Sequence, residues 1–157
     1  MLTLSILMAI VLIGIIPLVY FKSNISLFEL LASFFLAFTI GNELFNIFSL
    51  NMEVIKGKDK IGDWFCIVYF MLFVPVLLLW MLQLIYNRKT NTGKTVVLLI
   101  FILTVAFSDQ VILHTKLLIS SRWNYIFSFC HSFIAIIITL LFAFFFRHLI
   151  KNEKKVG

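Results

Sequence analysis

Five apolar stretches, each long enough to cross a bilayer as a helix, constrain this chain more than any other feature: residues 2–21, 27–50, 64–86, 95–118 and 125–148. Spanning ~30 Å of hydrocarbon takes about 20 apolar residues in a helix. Strands of a membrane barrel would be about half as long and would alternate in polarity; these segments do neither. A content of 62% hydrophobic and 13% charged residues leaves too little polar surface to cover a soluble fold. The mean hydropathy of +1.11 agrees. The expected fold is therefore all-α: a polytopic membrane protein with five transmembrane helices in one bundle over residues 1–150, and a basic cytoplasmic tail over 151–157. An alternative with four spans lays the second segment in the interface, because it holds Glu29, Asn42, Glu43 and Asn46.

Five spans put the two termini on opposite sides. One side then carries Lys22, Arg88, Lys89, Lys94, Arg147, Lys151, Lys154 and Lys155, and the other Lys56, Lys58, Lys60, Lys116 and Arg122. Positive residues favour the cytoplasmic side, which places the N-terminus outside and the C-terminus inside. The net charge of +6 is thus spent on orientation, and no nucleic-acid-binding pattern accompanies it. The tail is expected to lie against anionic lipid. The opening stretch "MLTLSILMAIVLIGIIPLVYFK" lacks a basic leader and a small-x-small cleavage site, and reads as a retained first helix. Cys66 and Cys130 lie inside apolar segments without a C-x-x-C pattern and read as free thiols. Pro17 and Pro75 sit inside spans, where a static kink is expected.

The polar residues inside the spans carry the functional information, since a charged side chain near mid-membrane costs from ~2.5 to over 10 kcal/mol and usually faces a bundle interior. In the second span Thr39, Glu43 and Asn46 recur at i, i+4, i+7, with Asn42 beside them and Ser33 and Glu29 further down. In the fourth, Asp109 and Lys116 are seven apart, and Gln110 and His114 form an adjacent row. In the fifth, Asn124 and His131 are seven apart, beside the small-residue row Ser128, Ser132, Ala135, Thr139 that suits close helix packing. Counted along the spans, these groups reach similar heights in the outer half. The candidate binding cluster is Glu43, Asn46, Asp109, His114, His131 and Asn124. Glu29 stands apart, near the inner surface, where it snorkels to water or pairs with Lys22.

Each candidate has a plainer reading beside its functional one. Glu43 is a proton-linked carboxyl or helix glue. Asp109 with Lys116 is a relay or an internal ion pair. His114 and His131 with one carboxylate would make a zinc set, but no H-x-x-x-H or H-E-x-x-H spacing supports it, so no metal or cofactor is expected. Asn124 caps the fifth helix, and Trp123 and Tyr125 anchor at the headgroups. The loop "GKDKIGDW" is a solvated connector, with Asp63 and Trp64 capping the third span.

"GNELFNIF" in the second span, the proline-centred third span, the acidic residue of the fourth and "RWNYIFSF" opening the fifth together resemble a family of small five-helix integral membrane proteins of unknown function from spore-forming Gram-positive bacteria. The resemblance covers roughly residues 36–150. It implies architecture and an address in the bacterial cytoplasmic membrane, and lends no catalytic residues. With Trp64, Trp80 and Trp123 as its tryptophans and no proline-tryptophan loop, the chain does not fit the tryptophan-rich five-helix sensory proteins. The first expectation for function is binding or translocation of a small solute or cation through the outer cluster, within a homo-oligomer or larger membrane complex. A second is a non-transporting accessory, immunity or sensor subunit whose polar residues are structural. A third, an intramembrane lipid-modifying enzyme using Asp109, His114 and His131 as acid–base groups, lacks a nucleophile; no enzyme activity is the expectation.

Overall fold

The structure is a computed structural model and describes residues 2–20, 25–52, 55–115, 117–120 and 123–156. Among these residues the chain forms five helices and one pair of short strands. They are α1 (Leu2–Tyr20), α2 (Leu27–Phe45), β1 (Ile55–Gly57), α3 (Lys60–Asn87), α4 (Asn91–Leu113), β2 (Leu118–Ser120) and α5 (Tyr125–Val156). Four of the helical stretches are long and apolar enough to cross a membrane by length and composition, Leu27–Ser49 of the second segment among them. The apolar part of α1, Leu2–Leu18, is shorter.

α3 is the centre of the bundle. It packs against α1, α2 and α4, and α5 closes on α2 and α4. In its most apolar stretch 67% of residues are buried, against 28% to 33% in α2, α4 and α5. The exposed faces of those other helices stay apolar: Phe107, Leu141 and Phe144 are examples. A surface of that kind has no favourable partner in water.

The helix starts follow from short polar side chains that satisfy orphan backbone amides. Ser26 and Glu29 form a reciprocal capping box on α2, with Ser26 N–H donating to Glu29 Oε2 at 2.8 Å and Glu29 N–H to Ser26 Oγ at 3.2 Å. Glu29 is therefore a helix cap, and its other oxygen lies 3.8 Å from Arg147 Nε; the expected partner, Lys22, lies outside the described residues. α3 begins at Lys60, a turn earlier than the hydropathy suggests, because Asp59 and not Asp63 is the cap: Asp59 Oδ1 accepts from Gly62 N–H at 2.8 Å. Thr90 caps α4 and Asn124 caps α5 in the same way.

α4 ends at Leu113, so the seven-residue spacing from Asp109 to Lys116 is not carried on one helix; Lys116 itself lies outside the described residues. The segment expected as a separate tail continues α5 to Val156, and the side chains of Lys151, Lys154 and Lys155 lie outside the description. The two connectors expected as loops pair instead. β1 and β2 run antiparallel, Ile55 facing Ser120 and Gly57 facing Leu118. Gly62 makes this fit, because a Cβ there would lie 2.3 Å from the Leu117 carbonyl oxygen. The pair brings the α2–α3 and α4–α5 connections to one end of the bundle.

Two π-helical turns interrupt the helices. One, Asn46–Asn51, extends α2. The other, Tyr69–Phe73, lies inside α3 just before Pro75, and Val74 N–H reaches back five residues to the Tyr69 carbonyl. Proline at 75 has no amide to bond the fourth carbonyl back, and the wider turn takes up the mismatch. The irregularity before Pro75 is thus a π-turn, whereas α1 runs through Pro17 as one α-helix. Each such turn also rotates the residues that follow it, with consequences for the site.

Candidate functional site

Near the strand-bearing end, α2, α3, α4 and α5 converge on a buried polar network. Asp109 of α4 is 3% exposed and His131 of α5 is 0% exposed, and His131 Nδ1 lies 3.0 Å from Asp109 Oδ2. The other carboxylate oxygen, Oδ1, accepts from the Tyr69 hydroxyl, which α3 presents from its π-turn. The Tyr69 oxygen also lies 2.7 Å from Ser108 Oγ, and Ser108 donates to the Val105 carbonyl at 2.8 Å. A carboxylate taken out of water is expensive unless its lone pairs are met by hydrogen bonds. Here both oxygens have a donor, which is the arrangement such burial requires.

The hydrogen bond to Asp109 assigns the imidazole tautomer. Nδ1 carries the proton toward the carboxylate, so in the neutral ring Nε2 holds a lone pair. Nε2 is buried and has no hydrogen-bond partner among the described residues. Rings surround it: the imidazole centroid lies 5.2 Å from Phe70, 6.1 Å from Phe48 and 6.2 Å from Trp123, all in edge-to-face or steeply tilted arrangements. Phe48 comes from the π-turn of α2, and Phe70 from that of α3.

A second set of bonds lies beside the network and reaches the surface. Trp123 Nε1 and Gln110 Nε2 both donate to Ser128 Oγ at 2.7 Å, and Ser132 Oγ donates to the Ser128 carbonyl at 2.7 Å. Gln110 and Ser128 line a lateral groove of ≈ 480 Å³ between α4 and α5, with His114 and Tyr125 beside them and Phe107 among its apolar walls. Trp123 was expected to anchor at an interface. It is buried, 7% exposed, and joins the groove wall to the His131 cage.

Of the six residues picked from sequence, the fold brings Asp109 and His131 into direct contact. His114 is exposed at the end of α4, its Nδ1 2.8 Å from the Gln110 carbonyl, and lines the groove without touching the network. Asn124 accepts from Phe127 N–H at 3.1 Å as the cap of α5. Asn46 is half-buried where α2 gives way to its π-turn. Glu43 is exposed and joins none of these groups. Tyr69, Phe48, Phe70 and Ser108 enter the site unannounced by polarity or spacing, and Gln110, noted only for its row with His114, enters through Ser128. Among the described residues no three His, Cys, Asp or Glu side chains come together to hold a metal ion. No family model, curated protein or solved structure matches the chain.

Proposed function

We propose that the chain is an integral membrane protein that binds or moves a small solute or cation, with Tyr69, Asp109 and His131 as the group that takes up and releases the accompanying proton. One observation carries this reading: three titratable side chains are linked by hydrogen bonds inside a bundle of apolar helices, and one of them keeps a vacant nitrogen. Ionisable residues in such helices mark proton relays and substrate pathways more often than packing. With Asp109 ionised, Nδ1–H already points at it, and the unpartnered Nε2 offers a lone pair to a further proton. The uptake converts a carboxylate and a neutral ring into a carboxylate and an imidazolium. Solute in the α4–α5 groove would meet Gln110 and Ser128, and through Ser128 the Trp123 ring that packs on His131.

The address is the bacterial cytoplasmic membrane, N-terminus outside and C-terminus inside, so that the β1–β2 end and the groove face outward. The charge asymmetry supports this orientation, and the likeness of "GNELFNIF" and "RWNYIFSF" to small five-helix membrane proteins supports the address. The pathway is completed in a homo-oligomer or within a larger membrane complex. A second reading is that of a non-transporting accessory subunit. It is favoured by the way α5 spends its hydroxyls on its own backbone, Ser132 on Ser128 and Thr139 on Ala135, both at 2.7 Å.

Proton or cation flux in proteoliposomes separates the two. Asp109→Asn and His131→Gln are each expected to abolish flux at matched folding, while Glu43→Gln leaves it intact. A wild type without flux for protons or monovalent cations, together with variants of lowered stability, would sink the transport reading and leave the accessory one.

A further inference from the structure

The end of the bundle opposite the strands carries a separate lateral cavity of ≈ 310 Å³, walled by Ile85 and Tyr86 of α3, Lys94 of α4, and Leu140, Leu141 and Phe144 of α5. That volume is at the small end of ligand sites. The walls are apolar apart from Lys94 and the Tyr86 hydroxyl. Lys94 is half-buried, with its stem along the wall, a placement that leaves a lysine head free to meet a polar group at the rim.

Other cations lie at the same end of the bundle. Arg88, in the connection between α3 and α4, packs over the residue next to Lys94: a Cβ on Gly93 would lie 3.6 Å from Arg88 Cδ. Lys89 is exposed beside it. Arg147, one turn beyond Phe144, has its guanidinium carbon 4.3 Å from the centroid of the Tyr86 ring. Among the described side chains Glu29 is the opposing carboxylate here, and it faces Arg147. Arg88, Lys89 and Lys94 have no carboxylate partner among the described residues.

An apolar slot open to the side with a cationic rim at one end has the shape and charge of one ligand class. We propose that this cavity holds an acyl chain of an anionic phospholipid, whose phosphate sits between Lys94 and Arg88. A zwitterionic lipid would bring its own ammonium into the same positive field, and a free phosphate would leave the apolar walls uncovered. The site rests on the membrane-integral reading given above and is independent of the proton-linked one. Basic pockets between membrane helices are known anchors for acidic headgroups.

The test uses the full chain in neutral detergent, titrated with phosphatidylglycerol or phosphatidylcholine, and reads thermal unfolding and the lipids retained in native mass spectra. Phosphatidylglycerol is expected to raise the unfolding temperature and to remain bound in a one-to-one complex; phosphatidylcholine is expected to do neither. Lys94→Gln and Arg88→Gln should each weaken phosphatidylglycerol about five-fold, and the double variant about 25-fold, with less effect at high salt. Leu141→Trp fills the slot without touching charge and should abolish retention, which keeps the test valid if a charge variant folds poorly. Equal effects of the two lipids, unchanged affinity in both charge variants, or the same stabilisation by inorganic phosphate would overturn the proposal. Release of the chain from cell membranes by alkaline carbonate would overturn the membrane reading itself; a retained chain with no lipid preference would sink only this site.

Discussion

Gly41 lies where α2 rests on the π-turn of α3, and replacing it with alanine probes whether that turn holds the site together. A Cβ at 41 would sit 2.1 Å from the Phe70 carbonyl oxygen, 3.1 Å from its carbon and 3.7 Å from Met71 Cα. Comfortable contact starts at 3.4 Å, so the oxygen must recede by 3.4 − 2.1, about 1.3 Å. A carbonyl cannot swing away as a side chain does. Moving it moves Tyr69 and Phe70, which carry the hydrogen bond to Asp109 and the ring against His131. Alanine gains ~1 kcal/mol of helix propensity over glycine, while overpacking a rigid site costs ~1–3 kcal/mol. A backbone shift of this size belongs at the upper end, so Gly41→Ala should lose about 1–2 kcal/mol net. Gly14→Ala in α1 is the control. Its Cβ would meet only the Val76 Cγ1 methyl at 3.1 Å and the Trp80 indole nitrogen at 3.9 Å, and the methyl need give only a few tenths of an ångström. That variant should be neutral or up to ~1 kcal/mol more stable. Unfolding in mild detergent, followed by circular dichroism, compares the two. Equal changes in both variants, or a Gly41→Ala protein as stable as wild type, would refute the claim that the π-turn is pinned by backbone contact.

The buried network makes a second prediction. Asp109→Leu strands His131 Nδ1 and leaves the Tyr69 hydroxyl only Ser108 Oγ, and should cost about 2–5 kcal/mol, whereas Asp109→Asn keeps the Tyr69 bond, moves the His131 proton to the unpartnered Nε2, and should cost about 1–3 kcal/mol. Adding His131→Phe to Asp109→Leu should recover part of the loss, because it removes one stranded donor; additive losses in that double-mutant cycle would mean the two side chains are not coupled. The third concerns the cap of α3. Asp59→Ala should cost ~1 kcal/mol and speed exchange of the Gly62 amide, and an unchanged exchange rate there would show that Asp59 is not the cap.

The length of the apolar runs is a local property, and it located all five helices to within a turn or so at most ends. The exceptions have local causes that polarity hides. Asp59 and Thr90 begin their helices in stretches that read as solvated loops, and the Ser26–Glu29 box hides an acid that invites a salt-bridge reading. The β1–β2 pairing joins connectors some sixty residues apart, a tertiary event that three-residue strands do not announce. Asp109 and His131 were legible because a charge in an apolar helix is costly and its depth can be counted. Tyr69, Phe48 and Phe70 were not, since an aromatic residue in an apolar run looks the same in sequence whether it faces the bundle or the lipid.

Glu43 and Asp109 give the same sequence signal, a lone acid a turn or so from the end of an apolar helix, yet one is exposed and the other sealed. Rotation separates them, and its trace was present in the chain. Ser33, Ala37 and Gly41 recur every fourth residue, the small-residue spacing that lets helices approach closely, and all three are buried, with Leu30 and Leu44 on the same face. Glu43 stands two residues past Gly41, about 200° round the helix, and so must point away from the bundle once those three point in. On α4 the equivalent face runs through Val105, Asp109 and Ile112, all buried, and carries the acid itself. The spacing of small residues fixes which face a helix buries, and an acid is enclosed only if it falls on that face. Where the two signals conflict, as on α2, close packing outranks the polar stripe, because a carboxylate turned outward near a helix end can reach water while a glycine face turned outward forfeits its contacts.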